Sequence, residues 1–285
     1  MRIGAHTSIA GSLEDAAGHA HKIGGNTFQI FSASPRMWRA SPPGPVAVQR
    51  LKQAREKWDL HPLVIHDNYL INLASADSAI REKSITAFRG ELERAILIGA
   101  EYLVAHPGSF KNQSLEKGIL TFVESLVKAS DGIESTHLMM LLENTAGQGS
   151  AIGSRLEELA AIRHLCGGKL GYKLGYCLDT AHALASGYDI TTAPGLDGFL
   201  ARAGAVLPLA LVPVIHANDS KTALGSRVDR HEHIGKGHIG EEAFRRILTH
   251  KKLRGKAFIL ETPIEEEGDD AVNISTMKRL AGRAV

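Results

Sequence analysis

The feature that most constrains the fold is a set of eight short apolar runs, spaced so that a helix fits between each run and the next. The runs are aliphatic or β-branched on consecutive positions, which is typical of strands buried on both faces of a parallel sheet. We predict strands at 2–6, 26–31, 62–66, 101–106, 137–143, 173–179, 211–216 and 257–261. Strands that alternate with helices in this number predict an α/β fold, a closed (β/α)8 TIM barrel.

The segments between the runs have helical periodicity. The pattern is clearest over 78–99, where apolar residues recur at the spacing of one helix face. A helix is expected over 154–165, because Ser154 followed three residues later by Glu157 forms a capping-box pattern. Another is expected over Glu241–Leu248. These helices would form the outer ring of the barrel.

Length and composition favour one soluble globular domain. The chain has 285 residues, enough for a large core, and no low-complexity linker divides it, so residues 1–285 are predicted to form a single domain. Apolar residues make up 44% of the chain and charged residues 22%, which is ordinary for a soluble protein. The net charge of +2 provides no overall field that would attract nucleic acid. A site for a polyanion would therefore have to be local.

The chain lacks the features of a secreted or membrane protein. Its first residues do not resemble a signal peptide, and no apolar stretch approaches the ~18 residues of a transmembrane helix. Its two cysteines, Cys166 and Cys177, are too few for a disulfide framework and too far apart for a typical structural zinc site. We therefore expect a cytoplasmic protein with no membrane partner.

Six of the predicted strands end in a residue that can bind a metal ion. These residues are His66, His106, Glu143, Asp179, His216 and Glu261. In a barrel the carboxyl ends of all strands surround one mouth, where active sites are built, so these residues would converge. Any one of them could be a helix cap or a satisfied polar group, but six charges at buried strand ends would be costly without a multivalent cation. The pattern predicts a metal site.

Three further candidate ligands lie just beyond strand ends. His182 closes the segment LDTAH (178–182), and Asp229 and His231 lie in RVDRHEH (227–233). Imidazole and carboxylate ligands without a thiolate suit zinc or manganese in a catalytic site. Nine candidates are too many for one ion but suffice for two or three, with an acid such as Glu143 as a bridge. Clusters of this kind serve phosphoryl transfer.

Five blocks of the sequence resemble the endonuclease IV family of apurinic/apyrimidinic endonucleases, also called AP endonuclease family 2. The blocks are GAHTSIAGSL (4–13), HDNYLINLA (66–74), LLENTAGQG (141–149), LDTAHALASGYD (178–189) and HANDSKTALGSRVDRHEHIGKGHIG (216–240). The resemblance implies a (β/α)8 barrel that repairs DNA by hydrolysing the phosphodiester 5′ to abasic sites in duplex DNA. The products would be a 3′-hydroxyl and a 5′-deoxyribose phosphate, and the same site would remove 3′ blocking groups.

The resemblance also implies a cluster of three Zn²⁺, with Mn²⁺ as an alternative at one or more sites. The first zinc would be held by His66, His106 and Glu143, the second by Glu143, Asp179, His216 and Glu261, and the third by His182, Asp229 and His231. A hydroxide between the first two ions would attack the phosphorus, and the third ion would stabilise the departing 3′ oxygen. Glu143 and Glu261 are the residues assigned to catalysis.

Matching positions in the family imply the DNA contacts. Arg36 would enter the minor groove near the lesion, and Tyr69 and Leu70 would fill the space left by extruded nucleotides. An abasic nucleotide has no base to unstack, so its extrusion costs less. The sugar–phosphate backbone would be contacted by Asn218, Ser220, Lys221, Arg227 and Arg230. The alternatives are a hydrophobic staple for Tyr69 and Leu70 and a solvated surface for Lys221 and Arg227.

Several polar residues keep open roles. Asp219 either hydrogen-bonds a ligand histidine or caps its loop. His6 ends the first predicted strand and is expected to support a ligand or the substrate rather than bind zinc. No role follows from the sequence for His233 or His238. The family resemblance implies a monomer that meets its DNA partner in the nucleoid.

Two other functions fit part of the pattern. A sugar isomerase or epimerase of the related xylose-isomerase-like barrels would also place His, Asp and Glu around divalent ions, but it needs fewer ligands. The separate set of His182, Asp229 and His231 argues against it, as do the DNA-contact positions Arg36 and Tyr69. A non-catalytic DNA-binding protein with structural metal has little use for nine ligands, and the near-neutral net charge argues against general DNA coating.

Overall fold

The fold is a (β/α)8 barrel of a single domain, as the alternation of apolar runs predicts. The computed structural model describes residues 1–282. The barrel strands are β1 Arg2–Ala5, β2 Phe28–Phe31, β3 Leu63–His66, β4 Tyr102–Ala105, β5 Glu134–Glu143, β6 Gly171–Asp179, β7 Val214–His216 and β10 Ala257–Leu260. They pair in parallel in the order β1-β10-β7-β6-β5-β4-β3-β2. An antiparallel ribbon of β8 Asp219–Ser220 and β9 His231–Glu232 follows β7.

Helices connect the strands and form the outer layer. They are α1 Leu13–Lys22, α2 Pro45–Trp58, α3 Ser78–Leu97, α4 Leu115–Ala129, α5 Leu156–Cys166, α6 Thr180–Ala185, α7 Ala193–Val206, α8 Glu241–Thr249 and α9 Asp269–Leu280, with a 3-10 turn at Leu209–Leu211. Side-chain oxygens cap several amino ends; Asp77, for example, accepts from the backbone N–H groups of Ala79 and Ile80 before α3. Within residues 1–282, none of the helices has the length and apolar character needed to cross a membrane.

Two local expectations are wrong. The predicted strand 211–216 is shorter, because the chain makes a 3-10 turn at Leu209–Leu211 and Pro213 has no N–H to give to a sheet. The capping box at Ser154 does not form: α5 begins after Arg155, which makes no side-chain cap. Instead the Glu158 carboxylate accepts a hydrogen bond from the N–H of Gly153.

The barrel closes between β1 and β2 through a narrow seam. A parallel bridge joins His6 and Gln29 there, and the N–H of Thr7 donates to the Gln29 carbonyl at 2.7 Å. The N–H of Asn26 donates to the Ile3 carbonyl at 3.0 Å at the other end of the seam. Gly4 lies against this seam, and a Cβ at this position would come within 1.8 Å of the Thr27 carbonyl oxygen. Only glycine allows the two backbones to approach this closely.

The apolar interior has two parts. The larger part lies between the barrel and the surrounding helices. The smaller part fills the lumen with Val64, Val104, Leu141, Cys177, Val214 and Ile259, each from a different strand of the barrel. The lumen is therefore a packed layer of side chains rather than a pore, and it forms a floor beneath the carboxyl mouth.

Gly4→Ala tests the seam. The added methyl group would meet backbone atoms that cannot move aside, so we expect it to lower the free energy of unfolding by about 1–3 kcal/mol or more. The matched control is Gly198→Ala in α7, where a Cβ meets nothing within 4 Å. That change should raise stability by about 0.5–1 kcal/mol, because alanine favours a helix over glycine. Urea unfolding measures both, and equal stability of Gly4→Ala and the unchanged protein would contradict the assignment.

Candidate metal centre

The pleat of the strands delivers six of the candidate ligands to the barrel mouth. Each of them lies two residues after a lumen residue, as His66 follows Val64 and Glu143 follows Leu141. Side chains two apart on a strand point to the same side of the sheet, so all six share the inward direction. The six are His66, His106, Glu143, Asp179, His216 and Glu261. They surround one opening above the apolar floor.

Glu143 lies at the centre of the group and is fully buried. Its Oε2 atom is 3.3 Å from Nε2 of His66 and 3.1 Å from Nε2 of His106. Its Oε1 atom is 2.9 Å from Nδ1 of His216 and 3.4 Å from Nδ1 of His182. Each oxygen of this carboxylate thus faces a different pair of imidazoles, which is the arrangement of a bridging ligand.

The remaining candidates form a second cluster beside the first. Nε2 of His182 lies 3.2 Å from Oδ2 of Asp229, and Nε2 of His231 lies 3.4 Å from Oδ1 of the same residue. Asp179 reaches this cluster as well, with its Oδ2 3.8 Å from Nε2 of His231. The structure therefore adds Asp179 to the expected set of His182, Asp229 and His231.

Hydrogen bonds to backbone carbonyls fix the orientation of three imidazoles. Nδ1 of His66 donates to the Asp67 carbonyl at 2.8 Å, and Nδ1 of His182 donates to the Asn144 carbonyl at 2.8 Å. Nδ1 of His231 donates to the Glu261 carbonyl at 3.1 Å. Nδ1 therefore carries a proton in each ring, and Nε2 is the nitrogen that faces the site and would bind a metal ion once it is deprotonated.

Opposite charges balance one another in this buried group. Burial raises the pKa of Glu261, but the charges of His216, His66 and His231 together outweigh this effect and lower the pKa to about 2. Burial lowers the pKa of His66, but its hydrogen bond to Glu143 and the nearby carboxylates raise the pKa to about 9. The positive charge of the imidazoles thus offsets the negative charge of the carboxylates. A bound multivalent cation would replace that positive charge, and the imidazoles would release their protons.

The residues fit a multivalent cation. In the part of the chain that the structure describes, Nε2 of His182 and Nε2 of His231 are buried and complete no hydrogen bond, although the Asp229 carboxylate lies 3.2 and 3.4 Å from them. Three sets of ligand atoms lie within 4.8 Å of one another: His66, His106 and Glu143; Glu143, Asp179, His216 and Glu261; and Asp179, His182 and His231. Burial raises the pKa of Cys177 to about 12, so its thiol stays protonated and the donor set is nitrogen and oxygen, as zinc or manganese accepts.

A cleft of about 790 Å³ opens above the cluster. Its wall includes His6, Phe31 and Tyr69 besides several candidate ligands. Tyr69 is 73% exposed and its ring meets the edge of Phe31 at a centroid distance of 5.2 Å. Burial lowers the pKa of His6 to about 4, so this ring is neutral at the cleft wall.

The residues expected to contact DNA divide into two groups. Arg36, Lys221, Arg227 and Arg230 are at least partly exposed, on the loops that follow β2 and β7. Tyr69 is exposed and Leu70 is half-buried on the loop that follows β3. All of these loops leave the carboxyl ends of the strands, so the exposed side chains lie on the same face of the barrel as the metal centre.

Asn218 and Ser220, which were expected to face the DNA backbone, are both buried in this structure. Asn218 is 0% exposed, and its amide donates to Oδ2 of Asp179 at 2.6 Å and accepts from the N–H of Glu261 at 2.7 Å. Ser220 is 1% exposed and donates to the Thr222 carbonyl. Asn218 holds the carboxylates of two candidate ligands in place, and Ser220 stabilises its own loop.

Asp219 has a clear role in the loop between β9 and α8. Its carboxylate accepts hydrogen bonds from five backbone N–H groups, those of Ser220, Gly235, Gly237, Ile239 and Gly240, at 2.8–3.2 Å. Of the two roles left open by the sequence, the structure supports capping of the loop. A buried carboxylate with this many donors fixes the segment that borders the mouth.

A buried ion pair anchors two of the loops at the mouth. Glu91 and Arg94 of α3 are 2.9 Å apart. Glu91 accepts hydrogen bonds from Ser32 at 2.5 Å and from Asn68 at 3.4 Å, and Nε of Arg94 donates to Ser32 at 2.7 Å. Ser32 begins the loop that bears Arg36, and Asn68 precedes Tyr69. One pair of charges on α3 therefore holds both segments.

Sequence reasoning missed the residues that position others. Gln29 is buried beside His216 and Glu261, and Glu91 is buried behind the loops. A signal existed for Gln29, since it is an amide within the apolar strand FQIF. Glu91 carried no such signal, because an acid within a helix is usually solvated.

The fold and the site define a class of protein. A family model described as a xylose isomerase-like TIM barrel matches residues 18–280. The chain is 59% identical over 282 residues to a probable endonuclease 4 of Solibacter usitatus (strain Ellin6076), covering 99% of this chain and 97% of the relative.

Solved structures agree with this class. Endonuclease IV from Thermus thermophilus superposes with a TM-score of 0.86 at 38% identity and covers 100% of both chains. A D-tagatose 3-epimerase-like protein has a TM-score of 0.71 at 17% identity over 99% of this chain and 97% of its own, a likeness that shows the fold alone. The chain belongs to the endonuclease IV family.

Asp219→Asn tests the loop that borders the mouth. An amide cannot accept from five N–H groups as a carboxylate does, so we expect the free energy of unfolding to fall by about 2–3 kcal/mol. Hydrogen exchange of the Gly235, Ile239 and Gly240 amides should become faster. The control is Asp197→Asn, whose carboxylate is exposed. Unchanged protection of these amides in Asp219→Asn would refute the role in capping.

Proposed function

We propose that the protein is a DNA-repair endonuclease that hydrolyses the phosphodiester 5′ to abasic sites in duplex DNA. The products would be a 3′-hydroxyl and a 5′-deoxyribose phosphate, and the same site would remove 3′ blocking groups. The proposal is carried by one observation: nine imidazole and carboxylate side chains converge at the barrel mouth in a chain of the endonuclease IV family.

The ligand groups suit three zinc ions, with manganese as the alternative at one or more sites. The first ion would be held by His66, His106 and Glu143. The second ion would be held by Glu143, Asp179, His216 and Glu261. His182, Asp229 and His231 would hold the third. When bound, such ions supply a hydroxide nucleophile near neutral pH and stabilise charge on the leaving oxygen.

The chain's own side chains would place the substrate. The loops at the mouth carry four cationic side chains, Arg36, Lys221, Arg227 and Arg230. These side chains would neutralise phosphates and so create a local positive field, which the net charge of +2 does not provide. The alternative role of Lys221 is an ion pair, since its Nζ lies 3.4 Å from Glu265. Phosphate contacts set the register of the duplex without reading its sequence.

Recognition of the lesion would depend on the cleft and on Tyr69. A nucleotide without a base is cheaper to extrude and smaller than an intact one. The exposed Tyr69 ring, supported from below by Phe31, would occupy the gap that extrusion leaves in the stack, with Leu70 beside it. Selectivity would come from the cost of extrusion rather than from readout of base edges.

Buried carboxylates would keep the imidazoles in the geometry that the chemistry requires. Glu143 faces imidazoles with both oxygens, and Glu261 approaches Nδ1 of His216 to 3.3 Å, so loss of either acid would disturb more than one ligand. We also propose that the protein acts as a monomer on nucleoid DNA in the cytoplasm. Support for a monomer comes from the site, since one chain supplies all nine ligand candidates.

The first test is incision of a duplex that carries one central abasic site. We expect a single nick on the 5′ side that leaves a 3′-hydroxyl, lost after the metal is stripped and restored by zinc. End mapping of the cut strand on a sequencing gel measures this. An intact duplex of the same sequence is the control. A nick on the 3′ side by β-elimination, or no nick by protein loaded with zinc, would reject the proposal.

Tyr69→Ala tests recognition of the lesion. Stacking of one base on an aromatic side chain contributes about 1–3 kcal/mol, so the KM for the abasic duplex should rise roughly 5- to 150-fold. The thermal midpoint should hardly change, because Tyr69 is 73% exposed. The control is Leu120→Ala, an exposed apolar residue on α4, for which KM should stay the same. An unaltered KM in Tyr69→Ala would favour the alternative role as a hydrophobic staple.

A further inference from the structure

We propose that Gln29 is a positioning residue that determines which nitrogen of His216 and which oxygen of Glu261 face the metal centre. The inference rests on the proposed function, since it takes His216 and Glu261 to be metal ligands. It adds a requirement at β2, a strand that contributes no candidate ligand of its own.

Gln29 is 0% exposed and all of its amide contacts are with residues of the site. Its Oε1 atom is 2.8 Å from Nε2 of His216. Its Nε2 atom is 2.6 Å from Oε1 of Glu261 and 3.1 Å from Nδ1 of His6. One acceptor and two donors are thereby used, so the hydrogen-bonding capacity of the buried amide is well satisfied.

The hydrogen-bonding partners of Gln29 show which end of its side-chain amide is the carbonyl oxygen and which end is the NH₂ group. A carboxylate oxygen only accepts, so the atom 2.6 Å from Glu261 must be the NH₂ group. The carbonyl oxygen must then face His216, and Nε2 of that ring must carry the proton. This leaves Nδ1 of His216 as the nitrogen that faces Oε1 of Glu143 at 2.9 Å and Oε2 of Glu261 at 3.3 Å.

His216 is the exception among the oriented histidines. His66, His182 and His231 donate through Nδ1 to backbone carbonyls and present Nε2, whereas His216 donates through Nε2 and presents Nδ1. Its Nε2 is directed towards β2, across the barrel. The side-chain carbonyl of Gln29 therefore accepts the N–H of His216, as backbone carbonyls accept the N–H of the other three rings.

The surroundings keep the Gln29 amide in one place. Gln29 pairs in register with Val64, so it belongs to the layer of the lumen that is otherwise apolar. Its backbone carbonyl accepts from the N–H of Thr7 at 2.7 Å, in the seam that closes the barrel. An amide in an apolar layer is costly unless it is fully hydrogen-bonded, so the site and the seam together select this residue.

Gln29→Met tests the inference, because methionine has a similar size and lacks both the donor and the acceptor. His216 would lose the partner that sets its tautomer, and Oε1 of Glu261 would lose a donor. We expect zinc affinity, measured by competition with a chromophoric chelator, to fall about 10- to 100-fold, as for other supporting partners of metal ligands. Zinc content after gel filtration in chelator should fall in parallel.

Thr27→Val is the matched control. Thr27 is buried just before β2 and donates to the Pro62 carbonyl at 2.6 Å, and its hydrogen bonds do not involve the candidate ligands. The change removes one buried hydrogen bond, so it should lower stability without altering zinc affinity. Zinc affinity of Gln29→Met that equals that of Thr27→Val would overturn the proposal, whatever the stability of the two variants.

A measurement on the unchanged protein decides the case in which Gln29→Met fails to fold. In the zinc-loaded protein, ¹⁵N spectra of the histidine side chains should show His216 protonated on Nε2, and His66, His182 and His231 protonated on Nδ1. A proton on Nδ1 of His216 would overturn the proposal. Failure of the unchanged protein to bind zinc would instead refute the proposed function, so the two failures are distinguishable.

Discussion

The buried carboxylate of Glu143 is the interaction on which the rest of the site depends. Its two oxygens lie within 3.4 Å of four imidazoles that come from four different parts of the chain: His66, His106, His182 and His216. A charge at this depth is tolerable only with opposite charge close by. The barrel provides it by placing ligand candidates on the inward pleat of neighbouring strands, directly above an apolar floor that excludes water from below.

Supporting residues give this centre its geometry. Backbone carbonyls orient three of the imidazoles, Gln29 orients His216, and the Asn218 amide joins Asp179 to Glu261. Because the amides of Gln29 and Asn218 are buried and hydrogen-bonded at both ends, the candidate ligand atoms have little freedom to rearrange. The exposed face is built differently: Tyr69 and the cations project from loops, which Glu91, Arg94 and Asp219 fix from behind.

Much of the fold and of the metal centre could be predicted from the sequence. Strand, helix and strand repeat along the chain, and a polar residue such as His66 at the end of an apolar run already indicates which side chains meet at the mouth. Local predictions were wrong where short-range signals compete. At Ser154 the sequence contains a capping-box pattern, but in the structure the Glu158 carboxylate accepts a hydrogen bond from the Gly153 N–H instead. The direction of Asn218 could not be predicted, since a residue after a strand can turn inwards or outwards.

The sequence by itself determined the barrel, because strands and helices follow from periodicities of two and of 3.6 residues that act over short distances. It also determined the ligand candidates, because they lie at the ends of the apolar runs or just beyond them. The tertiary structure decided which residues support them. Gln29 and His216 are 187 positions apart and meet only because the barrel closes. Asp219 collects N–H groups from a loop up to 21 positions away. Contacts of this kind depend on the path of the whole backbone, and no local pattern in the sequence encodes that path.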